Sequence, residues 1–367
     1  MNNLQFWATN KKLLFFSVLI FIITIASLTL NSGYASESNN EDLVIKLDEK
    51  VNKFAVDYKF NGNILIAKGE RIFLNKSYGA ADFENNIMNT PQTRFLIASI
   101  TKQFTATIIM QLQEKGLLSI EDTIDKYVTG FPKYGDQITI HHLLTHTSGL
   151  PRDINLGMTP SSLSEALEIA KSKPFEFVSS PGRVFSYSNV GYILLGYIIE
   201  QVSGKPYQDY LQDNIFTPLN MTNSGFGYDR RNDKKLALSY GLNNECLTKN
   251  PFIDLSVRPH AAGAIYSTTE DLYKWDRALY TNIILSEKSL KKMFTVEKNN
   301  YGYGWFIYKK GDKTVYTHNG IISGFRSLIC RRVDENICII ALSNRSNFDE
   351  FDGYILENII MDVFNSK

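Results

Sequence analysis

The sequence is organised around the stretch Arg94-Phe-Leu-Ile-Ala-Ser-Ile-Thr-Lys-Gln-Phe-Thr105. A helical pattern begins at Ser99 and ends near Gly116, and its apolar face repeats at Phe104, Ile108 and Leu112. Because positions i and i+3 share a helix face, the Ser99 hydroxyl should face the amine of Lys102. Free N–H groups at the helix start favour negative charge that develops on the serine. A lysine of lowered pKa can take the serine proton and make the hydroxyl nucleophilic.

The same Ser-x-x-Lys spacing occurs at Ser289-Leu-Lys-Lys292, where the surrounding residues indicate a polar, solvated helix. The spacing alone therefore does not identify a catalytic serine. Taken by itself, Ser99 also suits the N-cap of a helix, with Lys102 at the surface. The rest of the chain has to decide between these two interpretations.

Length and composition suit a globular protein of one large domain or two. The chain has 367 residues, of which 44% are hydrophobic, and it contains 10 prolines. Its formal net charge of +1 gives no strong field for nucleic acid or for an acidic membrane surface. We therefore expect no nucleic-acid partner.

Residues 1–35 have the pattern of an export signal. Lys11 and Lys12 precede an apolar run from Leu13 to Leu30, and small residues lead to a cleavage position after Ala35. The apolar run is long, so an uncleaved membrane anchor is the alternative to a cleaved signal peptide. Either way, we expect the rest of the chain to lie outside the cytoplasm, secreted or anchored by this segment.

Strand patterns lie near both ends of the remaining chain, with helical patterns between them. This order predicts an α+β fold with an antiparallel sheet built from both termini, flanked by helices, and an inserted, mainly helical lobe. We expect a linker at 36–44 and one domain at 45–365, with its sheet part at 45–95 and 295–365 and its helical part at 96–294. Within the helical part, Ser119-Ile-Glu-Asp122 predicts a capping box that opens a short helix.

Three cysteines, Cys246, Cys330 and Cys338, are too few for a disulfide framework and odd in number. Cys330 and Cys338 flank a turn-like segment. They could face each other across a hairpin, or they could occupy small apolar positions in a core. Both alternatives stay open on the sequence alone.

Three motifs in order resemble those of the serine β-lactamase and penicillin-binding protein superfamily: Ser99-x-x-Lys102, Tyr187-x-Asn189 and His318-Asn-Gly320. The resemblance is to the branch of class C β-lactamases, D-alanyl-D-alanine carboxypeptidases and related esterases, and it covers about residues 45 to 345. Flanking segments agree with it: Leu143-Leu-Thr-His-Thr-Ser-Gly-Leu-Pro151, Tyr301-Gly-Tyr-Gly-Trp305 and His318-Asn-Gly-Ile-Ile-Ser-Gly-Phe325.

The resemblance implies a β-lactamase/transpeptidase-like fold and a serine hydrolase that needs no metal or cofactor. Ser99 would attack a carbonyl carbon and form an acyl-enzyme, with Lys102 lowering the proton affinity of the serine. Tyr187 would pass the proton to the leaving group. Because a phenol titrates near pH 10, it would need positive charge from Lys102 and, as a further source, from His318.

Substrate binding falls, by the same resemblance, to Asn189, His318, Gly320 and Ile321. Asn189 would hold a substrate amide carbonyl and brace Lys102, although it also suits the N-cap of the helix that follows. Two backbone N–H groups, those of Ser99 and Ile321, would form the oxyanion hole. Gly320 would let its strand approach the acyl group closely.

His318 departs from the β-lactamases of this branch, which usually carry Lys-Thr-Gly or Lys-Ser-Gly at this point. A histidine is only partly cationic near neutral pH, so a fixed charge for a substrate carboxylate is missing. Arg326 could supply one, but a surface arginine on a strand explains it as well. The departure favours the carboxypeptidase, peptidase and esterase members over the β-lactamases.

Three other classes of protein are the alternatives to this one. His142 and His146 are spaced i, i+4 as in a metalloprotease, but Leu143 stands where that motif needs a glutamate. A non-catalytic receptor for penicillin or muropeptides and a structural wall protein are the remaining alternatives. We expect a small-molecule or peptidoglycan-type substrate, with β-lactams as candidates and membrane contact only through the N-terminal segment. The sequence indicates neither the natural substrate nor the oligomeric state.

Overall fold

The computed structural model describes residues 40–153, 163–171, 176–243, 246–250, 260–347 and 350–366. The predicted signal segment 1–35 lies outside these residues. Residues 40–44, predicted to be part of a linker, are already helical, and the acidic Glu41 and Asp42 suit the first turn of a helix. Every helix in the described ranges is too short or too polar to span a bilayer.

The chain divides into two compact units. In the smaller one, the described residues are 40–52 and 359–366, and they are almost entirely helical. The larger one comprises residues 53–358 and contains every strand named below. All residues predicted for the site belong to this larger unit.

The helices are α1 (40–57), α2 (Thr101–Glu114), α3 (Ile140–Leu144), α4 (Leu163–Lys171), α5 (Asn189–Ser203), α6 (Tyr207–Leu211), α7 (Thr269–Ala278), α8 (Glu287–Met293) and α9 (Glu350–Asn365). The strands are β1 (Gly62–Lys68), β2 (Arg71–Tyr78), β3 (Ala80–Asp82), β4 (Ile87–Met88), β5 (Phe95–Leu96), β6 (Gly225–Phe226), β7 (Tyr240–Asn243), β8 (Cys246–Lys249), β9 (Ile265–Ser267), β10 (Phe306–Lys310), β11 (Lys313–Ile322), β12 (Phe325–Arg332) and β13 (Ile337–Ser343).

Six antiparallel strands form the main sheet in the order β10-β11-β12-β13-β1-β2. The N-terminal hairpin joins the C-terminal strands through β1 and β13, where Gly62 pairs with Ser343 and Lys68 with Ile337. Both of these central strands are continuous apolar runs, the pattern of a strand that is buried on both faces. A sheet assembled from both ends of the sequence, with helices flanking it, confirms the predicted fold class.

Helix α2 is buried around its whole circumference from Thr101 to Leu112. The sequence indicated one apolar face, but the polar side chains between the apolar ones are buried too and are hydrogen-bonded. The indole N–H of Trp275 donates to Gln103 at 3.0 Å, and the Thr105 hydroxyl donates to a backbone carbonyl at 2.6 Å. A helix enclosed in this way is a fixed platform for side chains at its N-terminal end.

The helix predicted after Ser119 is wrong. The Ser119 N–H donates to the Asp122 carboxylate at 2.8 Å and closes a turn, and only a 3₁₀ turn follows, at Ile124–Lys126. Serine and aspartate stabilise turns by the same side-chain to backbone bonds that cap helices, so their pattern does not separate the two structures.

The thiols of Cys330 and Cys338 are free and buried. In the register of β12 with β13, Cys330 lies opposite Ile339 and Arg331 lies opposite Cys338. Because side chains alternate between the faces of a sheet, the two thiols point to opposite faces. Burial also raises the pKa of both thiols, which keeps them protonated and unreactive. Of the two alternatives left open by the sequence, the structure agrees with the second: both cysteines occupy buried core positions.

Candidate active site

Ser99 lies in a 3₁₀ turn, Ala98–Ile100, directly before α2. Ala98 has a φ of +46°, in the left-handed region that residues with a Cβ rarely adopt. The sequence placed the helix start at Ser99, whereas the α-helix begins two residues later. The tight turn leaves the serine partly exposed at the end of the buried helix, where a substrate can reach it.

The Lys102 amine is fully buried and has three oxygen neighbours. Its Nζ lies 3.1 Å from Ser99 Oγ, 2.9 Å from Asn189 Oδ1 and 2.8 Å from the backbone oxygen of Ala262. The latter two oxygens can only accept hydrogen bonds, whereas a hydroxyl can also donate one. Once the amine is neutral, its two N–H groups suffice for Asn189 and Ala262, and its lone pair is left for the Ser99 proton.

Burial holds the pKa of Lys102 well below its usual value near 10.5. The carboxylate of Asp153 opposes this effect, and Arg152 adds to it, because a like charge disfavours the ammonium form. The desolvation that lowers this pKa favours the neutral amine, which is the form that can accept a proton. Geometry and charge therefore agree that the Ser99 hydroxyl can be deprotonated here.

Tyr187 places the face of its ring 4.9 Å from Lys102 Nζ. Burial raises the pKa of its phenol far above 10, although a hydrogen bond with Ser99 and the charge of Arg152 act in the opposite direction. A phenol with a raised pKa keeps its proton. This arrangement suits a proton donor beside the serine better than a resting phenolate base.

Asn189 is the first residue of α5, but it does not cap that helix. The cap is Ser188, whose hydroxyl accepts the Gly191 N–H at 3.1 Å. Asn189 is thereby left to accept from Lys102 with its oxygen and to donate from its nitrogen to Asp153 at 2.8 Å. Of the two interpretations of Asn189, bracing the lysine agrees with the structure and capping the helix does not.

Strand β11 carries the third motif past the Ser99 turn. A Cβ added to Gly320 would lie 2.4 Å from the backbone oxygen of Ile97 and 2.3 Å from Ser327 Oγ, closer than real contacts allow. The strand therefore approaches the turn as closely as predicted only because residue 320 is glycine. Strand β10 pairs with β11 only as far as Thr317, so among the described strands His318–Ile322 is paired on the β12 side alone. Its other edge is open, and alternate residues of the stretch turn their backbone N–H groups toward it, where a substrate can bind.

His318 is buried, and both of its ring nitrogens are engaged. Nδ1 lies 2.6 Å from the backbone oxygen of Asn319, which can only accept, so Nδ1 carries the proton. Nε2 then accepts from the Tyr301 hydroxyl at 3.2 Å. Burial and the nearby Lys102 lower the pKa of His318 to about 3. The expectation that His318 supplies positive charge to Tyr187 is therefore wrong, because the ring is neutral at physiological pH.

Two residues of the site had no role in the sequence analysis. Asp153 lies two residues after the Leu143–Pro151 stretch, and Tyr301 opens Tyr301–Trp305, and both stretches carried the family resemblance. The resemblance marked these segments without saying what their side chains contact. Arg326, considered for a substrate carboxylate, donates to the backbone oxygen of Phe325 at 2.9 Å.

The second Ser-x-x-Lys match does not form a comparable pair. On α8, Ser289 donates to Glu114 and Lys292 donates to Glu297. The two histidines of the metalloprotease alternative also have separate environments, since His142 accepts from the Thr139 N–H and His146 from the Ser188 N–H. Across the described ranges, no three or more histidine, cysteine, aspartate or glutamate side chains are arranged to hold a metal ion.

Comparison with known proteins agrees with this geometry. Residues 47–360 match the protein-family model for "Beta-lactamase". The chain is 33% identical over 316 residues to "Putative penicillin-binding protein PbpX" of Bacillus subtilis (strain 168), covering 85% of this chain and 78% of that protein.

Solved structures agree as well. The penicillin binding protein from Bacillus halodurans superposes with a TM-score of 0.74 at 30% identity, covering 85% of this chain and 98% of that chain. The D-amino acid amidase from Ochrobactrum anthropi SV3 superposes with a TM-score of 0.75 at 25% identity, covering 88% of this chain and 98% of that chain.

Proposed function

The chain belongs to the beta-lactamase family of serine hydrolases related to penicillin-binding proteins. On this premise we propose that it is an exported acyl hydrolase of D-alanyl amide or ester bonds in the cell wall, with a D-alanyl-D-alanine carboxypeptidase as the first candidate. The observation that carries the proposal is the buried Lys102 amine, 3.1 Å from Ser99 Oγ, with its other two neighbours unable to donate. The N-terminal segment supports export to the compartment where such bonds are found.

Acylation follows from these contacts. Lys102 Nζ takes the Ser99 proton as Oγ attacks the carbonyl carbon, and the carbonyl π electrons move onto the oxygen. Backbone N–H groups of Ser99 and Ile321 stabilise that oxyanion. As the tetrahedral intermediate collapses, the phenol of Tyr187 protonates the leaving amine or alcohol, and the Lys102 ammonium returns a proton to Tyr187.

Deacylation uses the same groups in reverse. Water attacks the ester carbonyl of the acyl-enzyme while the neutral Lys102, directly or through Tyr187, accepts one of its protons. The ester bond to Ser99 then breaks, and Oγ regains a proton. The acid product leaves, and the lysine is neutral again, so the cycle consumes only water.

The neutral His318 favours one group of substrates within this class. Both ring nitrogens are occupied inside the protein, so the ring offers no charge to a terminal carboxylate. A D-alanyl-D-alanine carboxypeptidase needs to recognise such a carboxylate, whereas an esterase or a D-amino-acid amidase does not. We therefore add esters and amides without a free carboxylate as the second candidate, and we rank β-lactams below both.

Covalent labelling tests the acyl-enzyme. The wild-type protein is incubated with a fluorescent penicillin and, in parallel, with p-nitrophenyl acetate as a small ester that lacks a carboxylate. We expect a covalent adduct or an initial burst that is lost in Ser99→Ala and kept in Ser289→Ala, which removes the serine of the second Ser-x-x-Lys match. Absence of both label and burst in the wild-type protein would contradict the proposal.

A kinetic panel then separates the candidate activities. It compares a D-alanyl-D-alanine peptide, a D-alanyl ester, a D-alanyl amide and a chromogenic cephalosporin. Turnover of the ester or amide above the peptide supports the second candidate, and the reverse order supports the carboxypeptidase. Stoichiometric acylation that never clears would instead indicate the non-catalytic receptor.

A further inference from the structure

His146 contacts the chain on both sides of Tyr187. Its backbone oxygen accepts the Ser186 N–H at 2.8 Å, and its Nδ1 accepts the Ser188 N–H at 3.0 Å. Ser186 and Ser188 are the residues immediately before and after the tyrosine. One residue therefore fixes the backbone at two points that flank the phenol.

The imidazole of His146 also packs directly on the Tyr187 ring. The two ring centroids are 4.1 Å apart and the planes are inclined by 34°. Tyr301 and Phe185 enclose the imidazole from other directions, at 4.7 and 5.8 Å. With His146 fully buried, this packing restricts the tilt of the phenol as the backbone bonds restrict its position.

The protonation state of His146 suits this contact. Nδ1 accepts a hydrogen bond, so the proton of the neutral ring is on Nε2, which has no hydrogen-bond partner in the described part of the chain. Burial, Lys102 and His318 lower the pKa of His146 well below 6.5, so the ring stays an acceptor throughout the neutral range.

The backbone at His146 is in an unfavourable conformation. Its φ is +55°, in the left-handed region, and it stands just beyond the last residues of α3. The Thr147 N–H donates to the His142 oxygen and the His146 N–H to the Leu143 oxygen, the bond pattern of a helix end where glycine is the usual residue. A histidine in place of glycine indicates that the imidazole serves a purpose beyond ending the helix.

We propose that His146 is a positioning residue that holds the Tyr187 phenol beside Lys102 and Ser99 for proton transfer. It does not touch the reacting atoms; it acts mainly through its hydrogen bonds to the backbone N–H groups of Ser186 and Ser188, and ring packing is the smaller contribution. The inference rests on the proposed acyl-enzyme chemistry, in which the phenol protonates the leaving group. It predicts that loss of the Nδ1 acceptor slows acylation without weakening substrate binding.

Two substitutions separate the acceptor from the ring. His146→Phe keeps a ring of similar size without the acceptor, and His146→Asn keeps a short acceptor and tolerates a positive φ. We expect His146→Phe to lower kcat/KM for ester hydrolysis by about 10- to 100-fold with little change in KM, and His146→Asn to stay within about 5-fold of wild type. His142→Asn is the matched control, because His142 accepts a backbone N–H in the same way but away from Tyr187.

A double-mutant cycle identifies the target of the effect. In a Tyr187→Phe background, His146→Phe should lower kcat/KM by less than about a further 3-fold, because the hydroxyl that His146 positions is already absent. An equal loss with and without the Tyr187 hydroxyl would overturn the proposal, as would a His146→Phe protein that acylates at the wild-type rate.

Amide hydrogen exchange provides a readout that does not depend on turnover. In His146→Phe, the Ser188 amide should exchange faster than in wild type, while amides in α2 keep their protection. Unchanged exchange of the Ser188 amide would overturn the proposed positioning role of His146, even if activity fell. If the wild-type protein forms no acyl-enzyme but the Ser188 amide still exchanges faster in His146→Phe, the contact between His146 and Ser188 is supported and the proposed function is contradicted. If His146→Phe does not fold, His146→Asn carries the exchange test, with Ser188 expected to stay protected.

Discussion

The Tyr301 hydroxyl and Nε2 of His318 lie 3.2 Å apart, in a buried setting that keeps the imidazole on strand β11 neutral. With Nδ1–H donated to the backbone of Asn319, Nε2 is the ring nitrogen left for a second proton, and burial together with the nearby Lys102 disfavours that proton. A neutral histidine is thus built into the place where a fixed cation would attract a carboxylate.

Placing a cation at residue 318 should shift substrate preference. In His318→Lys we expect the ratio of kcat/KM for a D-alanyl-D-alanine peptide to that for an uncharged D-alanyl ester to rise by about 10-fold, the effect of about 1.4 kcal/mol of added charge recognition. His318→Gln is the neutral control. Equal ratios in the two variants would show that residue 318 does not contact the leaving group.

The buried amine of Lys102 should appear in the pH dependence of acylation. Because burial lowers its pKa, kcat/KM for the free enzyme should rise with pH as the ammonium loses its proton, and then level off. Lys102→Arg keeps the charge but has no accessible neutral form, so acylation should fall by about 100- to 10,000-fold. Raising the pH to about 10 should not restore it. If Lys102→Arg regained acylation at high pH, the group that takes the Ser99 proton would not be Lys102.

A second pH effect concerns stability. Burial lowers the pKa of His260 to about 4, whereas an unfolded histidine titrates near about 6.5. The unfolded state therefore binds the proton first, and the stability that the neutral ring contributes is complete above pH about 6.5 and is lost as the pH falls toward about 4. Each such histidine adds about 1.4 kcal/mol per pH unit to the slope in this window.

His260→Asn tests that slope, because asparagine tolerates the positive φ of this position. Urea denaturation at several pH values between about 4 and about 6.5 should give a free energy of unfolding that falls less steeply in the variant than in wild type. Parallel curves would mean that His260 is protonated in the folded protein as readily as in the unfolded chain.

Gly320 offers a test of the close approach between β11 and the Ser99 turn. In Gly320→Ala the new Cβ would meet the backbone oxygen of Ile97, so the strand has to move. We expect a loss of about 1–3 kcal/mol in stability from overpacking and about 100-fold in acylation from misplacement of the strand. Gly311→Ala, at a positive φ with open space around it, is the control that keeps acylation. Wild-type acylation in Gly320→Ala would show that the strand need not lie so close.

The pairing of Ser99 with Lys102 could be predicted because it is local. Two residues three apart at a helix start face each other even though the serine lies in a 3₁₀ turn and the lysine in the α-helix. That one sheet combines strands from both ends of the chain could also be predicted, since strands at each end need partners, whereas the order of the strands comes from the structure. Only the family resemblance predicted that Tyr187, Asn189 and His318 would share one cleft with this pair.

What could not be predicted depends on contacts between distant segments. Nothing in the sequence shows that the backbone oxygen of Ala262 lies beside Lys102. Every residue has such an oxygen, so the residue type gives no indication of its role. The neutral state of His318 likewise depends on burial by distant segments and on the nearby Lys102. At Asn189 the cap and the brace had the same local signature, and only the fold decides between them.

Pairing of β1 with β13 also has a consequence for synthesis and export. Gly62 and Ser343 are neighbours in the sheet although nearly the whole domain separates them along the chain. Contacts of such long sequence separation form late. Strand β1 therefore has β2 as a partner on one edge but no partner on the other until β13 has been translated. A nascent chain that ends before β11 therefore holds Ser99, Lys102 and Tyr187 without the strand that lies beside the Ser99 turn.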